Sequence, residues 1–134
     1  MLKSLRFNDG VDGMSEEVRL PPAVQERLLR LQQLQQTLQS ILTQKQQLEL
    51  ELIEIDQALS ELEKASDDAV IYKSVGSLLV RSEKSKVTND LKERKELTNM
   101  RITVLGRQEE RLRSQIKELQ EKLQKDLRPL SLPQ

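Results

Sequence analysis

Residues 69–81 read AVIYKSVGSLLVR. They lie between two long stretches dense in Leu, Ile, Gln and charge, and nothing else in the chain has their strand-forming composition. Val70, Ile71 and Tyr72 precede Ser74-Val75-Gly76, and Leu78, Leu79 and Val80 follow it, a pattern that predicts a β hairpin. Val75 resists the positive φ required in a two-residue type I′ turn. The expected connection is a three-residue loop with Gly76 in the left-handed position, pairing Lys73 with Ser77, Tyr72 with Leu78, Ile71 with Leu79 and Val70 with Val80. Both faces of such a hairpin are largely apolar. A lone two-stranded hairpin is marginal in water and leaves two edges unpaired. The segment is therefore expected to pair edge to edge with hairpins of other subunits, in a closed sheet or barrel. Val70, Ile71, Tyr72, Val75, Gly76, Leu78, Leu79 and Val80 are the candidate assembly residues.

Upstream, Pro21-Pro22 marks a helix start, where a missing amide hydrogen costs nothing. No Gly or Pro follows until after Lys64. Leu34, Ile41, Leu48, Ile55 and Leu62 recur every seventh residue, as do Val24, Leu31, Leu38, Lys45, Leu52 and Leu59 three positions away. This a/d pattern, held for about six repeats, predicts a coiled-coil helix over 22–65. Ala65-Ser66-Asp67-Asp68 stops it. Downstream, a helix capped by Ser82 or Ser85 is expected over 85–128, ended by Pro129. Its seam is clear late, at Ile102, Leu105, Leu112, Ile116, Leu119 and Leu123, and drifts earlier through Val87, Leu91, Leu97 and Thr98. Lys45 and Glu109 interrupt the two seams, where they are expected to set register or bring a local cost, and Gly106 sits inside the second helix with no evident role. The two arms are nearly matched in length about Val75-Gly76, so each buries its stripe most simply against the other. The expected fold is mostly α: a long antiparallel coiled-coil hairpin with one β hairpin inserted between its helices. Residues 1–19 read as a flexible extension and 129–134 as a tail, flanking the coiled coil of 20–128.

The composition narrows the function. The chain has 134 residues, 22 basic and 22 acidic, with no His, no Cys, one Tyr and one Phe. Balanced charge gives no field for nucleic acid or an anionic membrane. The basic bias of the second helix is interspersed with acids and reads as a solvated face. No apolar run spans a bilayer, and the first residues do not read as a secretory signal, so a cytoplasmic protein is expected. No phosphate-cradling glycine loop or metal motif is present, and the carboxylates lie on helix faces with no concave site to perturb them. No enzyme and no cofactor are expected.

At the free end of the arms, Val24, Leu28, Leu31, Leu119, Leu123 and Leu127 form an apolar group, with Leu28 and Leu29 outside the seam. Non-directional apolar contact suits many partner sequences, and these are the candidate client-binding residues. A scaffold or adaptor with one defined protein partner is the alternative.

The runs LPPAVQERLLRLQQLQQTLQSILTQKQQLELEL (20–52), ALSELEK (58–64) and DDAVIYKSVGSLLVR (67–81) resemble the β-type subunits of archaeal prefoldin. The resemblance covers roughly 20–127, and the DDAVIYKSVGSLLV core is its specific part. It implies an ATP-independent holding chaperone. Four such chains and two α-type subunits would form an α2β4 hexamer whose hairpins build a double β-barrel body carrying coiled-coil tentacles. Tentacle tips would grip unfolded proteins and pass them to a group II chaperonin. The extension at 1–19 and the tail LRPLSLPQ depart from the family pattern.

Overall fold

The computed structural model describes residues 20–131. The elements run α1 (Pro22–Lys64), β1 (Ile71–Val75), β2 (Leu78–Ser82) and α2 (Lys84–Ser131). The expected extension at 1–19 and the last residues of the tail, 132–134, lie outside the described residues.

The start of α1 follows from its prolines. The Pro21 carbonyl accepts the amides of Val24 and Gln25 at 2.9 and 3.0 Å, so Pro22 occupies the first helical position, where its missing N–H is harmless. The Gln25 side chain donates back to the Leu20 carbonyl at 2.7 Å. At the other end, the Ala65 amide bonds the Leu62 carbonyl at 3.1 Å and the Ala69 amide bonds Ser66 at 3.0 Å, closing the expected turn. Lys84 reaches across it, donating to the Ala65 carbonyl at 2.7 Å and lying 3.3 Å from Asp67. A cation on a helix C-terminal carbonyl is favourable for hydrogen bonding and dipole alike.

Neither expected serine caps α2. The Val87 amide bonds the Glu83 carbonyl at 3.0 Å, so Glu83 holds the cap position, Ser82 closes β2 and Ser85 lies within the helix. Nor does Pro129 end α2, which continues to Ser131. Proline already holds a helical φ, and only two residues of α2 follow Pro129.

Contacts divide the described residues into two compact units, one of 20–35 with 115–131 and the other of Gln36–Ser114. In the first, Val24, Leu34, Ile116 and Leu123 are buried and Arg27 pairs with Asp126. In the second, Ile41, Ile55, Leu62 and Thr98 are buried. There the cross-helix pairs Lys45–Glu109, Glu51–Arg94 and Asp56–Lys95, at 3.0, 2.9 and 2.8 Å, join the earlier part of α1 to the later part of α2, and the later part of α1 to the earlier part of α2. The helices are antiparallel. The a/d residues expected in α1 are all buried or half-buried. In α2 the early seam differs from its expected course: Thr98 is 2% exposed, whereas Leu97 faces outward. Heptad geometry puts position 98 in line with Leu91 and Leu105, and Thr98 keeps its hydroxyl satisfied on the Glu51 carboxylate at 3.3 Å.

The hairpin register is three residues from the expected one. Val75 pairs with Leu78, Ser74 with Leu79, Lys73 with Val80, Tyr72 with Arg81 and Ile71 with Ser82. The loop is thus the two residues Gly76-Ser77. Gly76 has φ +60° and no other residue among those described has positive φ, the pattern of a type II′ turn with glycine first. Val75 sits in the strand, where its branched side chain is favoured.

Candidate functional site

The corrected register sorts the hairpin side chains into two unlike faces, since cross-strand partners share a face. Ile71, Val75, Leu78 and Val80 lie on one, with Lys73 and Ser82; Tyr72, Ser74, Leu79 and Arg81 lie on the other. The expectation of two largely apolar faces is replaced by one apolar face and one mixed face. Little of either is covered. Leu79 is 72% exposed, Leu78 66% and Tyr72 60%, and Val70, Val75 and Val80 are exposed as well. Ile71 alone of the candidate assembly side chains is half-buried. Lys73 comes within 3.9 Å of Asp90, a weak tie from the strand to α2.

Among the described residues both edges of this two-stranded sheet are unpaired. A two-residue loop makes Val75 and Leu78 a hydrogen-bonded pair, and alternation then turns the amides and carbonyls of Tyr72 and Ser74 out along one edge, and those of Leu79 and Arg81 along the other. Exposed apolar side chains and outward backbone groups on one short ribbon equip it to add strands.

The candidate client residues belong to the unit of residues 20–35 and 115–131 and are not equivalent. Val24 and Leu123 are 4% and 5% exposed and form its core. Leu31, Leu119 and Leu127 are half-buried. Leu28, at 39%, and Leu29, at 56%, face outward. Leu29, passed over in the choice of site residues, is thus the most exposed apolar side chain of this group; its position outside the heptad is the signal that identifies it. Near them Arg27 bonds Asp126, fastening the first turns of α1 to the last turns of α2.

Sequence reasoning missed an apolar strip on α2 in the other unit. Leu97, Met100 and Val104 are exposed and, with Leu48, Gln44 and Gln47 of α1, line an open depression. Their three- and four-residue spacing, offset from the seam, was visible in the chain.

The two perturbed carboxylates are structural. Hydrogen bonds from Lys45 and then Arg113 hold Glu109 below the ordinary carboxylate range. A hydrogen bond from Arg94, aided by Thr98, does the same for Glu51 against a partial opposing effect of burial. Both are held ionised by cations on helix surfaces, which suits no general acid. Among the described residues no cluster of three or more His, Cys, Asp or Glu could hold a metal, and no helix is long and apolar enough to cross a membrane.

Comparison with known proteins gives one consistent result. The family model described as prefoldin subunit matches residues 25–129. Prefoldin subunit beta of Archaeoglobus fulgidus is 48% identical over 110 residues, covering 82% of this chain and 95% of its own. That of Pyrococcus furiosus is 46% identical over 110 residues, covering 82% and 94%. The crystal structure of the prefoldin beta subunit from Thermococcus strain KS-1 superposes with a TM-score of 0.76 at 45% identity, over 83% of this chain and 97% of that one.

Proposed function

The chain belongs to the prefoldin family as a β-type subunit of the archaeal kind, and from that premise we propose that it acts within an α2β4 hexamer whose body is built from its hairpin. Its general role follows from the family: it is a subunit of a holding chaperone and not an enzyme. The finer assignments are these. Hairpins over Ala69–Arg81 join those of neighbouring subunits, including an α-type partner, in a β-barrel body. The arms act as tentacles, and their apolar ends hold unfolded clients in the cytoplasm without ATP before transfer to a group II chaperonin. Leu28, Leu29, Leu31, Leu119 and Leu127 contact the client, while Val24 and Leu123 support them from the seam.

The observation that carries the assembly is the exposure of Val70, Tyr72, Val75, Leu78, Leu79 and Val80 on a ribbon whose two edges are unpaired among the described residues. Burying one such Leu or Val side chain is worth about 1.5–3 kcal/mol, so pairing several of them offsets the cost of association. The test is the mass in solution, by multi-angle light scattering, of the chain alone and mixed with an α-type subunit. A complex of four copies and two partners is expected. A mixture that never exceeds the separate components would overturn the reading. Client holding is then read as suppressed light scattering of a denatured protein, with and without ATP.

A further inference from the structure

The charged residues in and beside the α1–α2 seam are not scattered. In the unit of residues 36–114, α1 runs from cation to anion along the chain, Lys45 first and then Glu51 and Asp56, while α2 also runs from cation to anion, Arg94 and Lys95 first and then Glu109. Two arms with the same order of signs are complementary only when antiparallel. Laid parallel and in register, α1 against a second α1 would face Lys45 with Lys45, and α2 against a second α2 would face Glu109 with Glu109. Lys45 and Glu109 are the most seam-bound of these charges: side-chain exposure is 28% and 17%, and their atoms lie 3.0 Å apart. The other unit repeats their polarity, with Arg27 on α1 and Asp126 on α2.

We infer that Lys45 and Glu109 form an orientation key, which directs each α1 to the antiparallel α2 of its own chain and rejects parallel, in-register pairing with the α1 of a second copy. A polar residue at one heptad position selects a partner at some cost in stability, and selection against a wrong partner works by unpaired like charge. The need for such a key rests on the proposed assembly, because copies joined through their hairpins bring like arms side by side in parallel. Its chemistry does not, since the ion pair is made within one chain.

The chain has no cysteine, so a single Leu38→Cys, one heptad from Lys45, reports parallel α1–α1 contact as a disulfide-linked dimer. Three full-length backgrounds carry it: the native pair, the reversed pair K45E/E109K and the neutral pair K45M/E109M. Each is refolded from denaturant at the same concentration under mild oxidation, with helicity followed by circular dichroism. The native and reversed keys should give the same small fraction of linked dimer, and the neutral pair about fivefold more or above, the ratio that one like-charge contact at about 4 Å in water accounts for. Equal dimer in all three backgrounds overturns the key. So does a reversed pair that crosslinks like the neutral one. Should K45M/E109M fail to regain helicity, K45Q/E109Q carries the same comparison. The hairpin is identical in every variant, and the mass of each variant mixed with an α-type subunit, by light scattering, reads assembly separately: a missing complex speaks against the proposed assembly, whereas equal crosslinking beside an intact complex speaks against the key.

Discussion

Lys45 Nζ lies 3.0 Å from Glu109 Oε1, so the two charged residues that interrupt the heptads of α1 and α2 meet each other across the seam. Arg113 adds a second bond to the same carboxylate at 2.9 Å. Both bonds favour the ionised form and lower the Glu109 pKa, as Arg94 does for Glu51. A carboxylate whose pKa is depressed by folding adds stability above its unfolded value, about 4.3 for Glu, and that stability is lost as pH falls through the folded value. The thermal midpoint of the helices should therefore fall as pH drops from 6 toward 3. Glu109→Gln should lower the midpoint at pH 6 and weaken its dependence on pH. Circular dichroism melts across that range check both, and parallel pH profiles for the two proteins would exclude this origin.

Gly106 gives a stability prediction of opposite sign. It lies inside α2, has no left-handed φ, and a Cβ built on it meets no atom within 4 Å. Nothing in the structure explains glycine there. Gly106→Ala should stabilise the chain by about 0.5–1 kcal/mol, through helix propensity and a less free unfolded chain. A raised urea midpoint with an unchanged slope is the expected result.

The long elements were legible because heptad spacing is a geometric demand that chain chemistry can meet in few other ways. Leu34, Ile41, Ile55 and Leu62 are buried where the period places them. What escaped was decided by single residues. Apolar residues at consecutive positions, Leu78-Leu79-Val80 above all, fit either face of a strand, so pattern alone did not choose the register. The choice lay in the turn: glycine at its first central position closes a two-residue II′ loop as readily as glycine at the end of a three-residue loop closes a bulge. The early seam of α2 likewise ran through both Leu97 and Thr98; the heptad favours position 98, where the Glu51 carboxylate makes a buried hydroxyl tolerable. The pairing of Lys45 with Glu109 was out of reach while each was weighed on its own helix.

Gly76 tests the turn. Its φ of +60° is costly for any residue with a Cβ, although open space surrounds it. Gly76→Val should cost about 1–2 kcal/mol in the hairpin while leaving the helices intact. Assembly should therefore fail before helicity does. Sedimentation and far-ultraviolet circular dichroism separate the two, and unchanged oligomers would refute the assignment of Gly76-Ser77 as a II′ loop that assembly requires.

The tip residues divide by burial, and that division separates contact with clients from support of the fold. Leu28 and Leu29 are exposed, whereas Leu123 is buried in the seam with Val24. Surface substitutions away from special features usually change stability by less than about 0.5 kcal/mol, so Leu28→Ser/Leu29→Ser should leave the melting curve nearly in place. The same pair should lose much of the suppression of client aggregation, because apolar contact is what the outward side chains offer. Leu123→Ala should do the reverse in order of effect. It removes a packed side chain at about 2–5 kcal/mol, so the end of the coiled coil loosens first and client holding declines as a consequence. Hydrogen exchange across residues 22–35 and 115–128 distinguishes the cases: unchanged protection in the double serine variant, faster exchange in Leu123→Ala. If the double serine variant holds clients as well as the native chain, the apolar contact lies elsewhere, and the exposed strip of Leu97, Met100 and Val104 becomes the next surface to substitute.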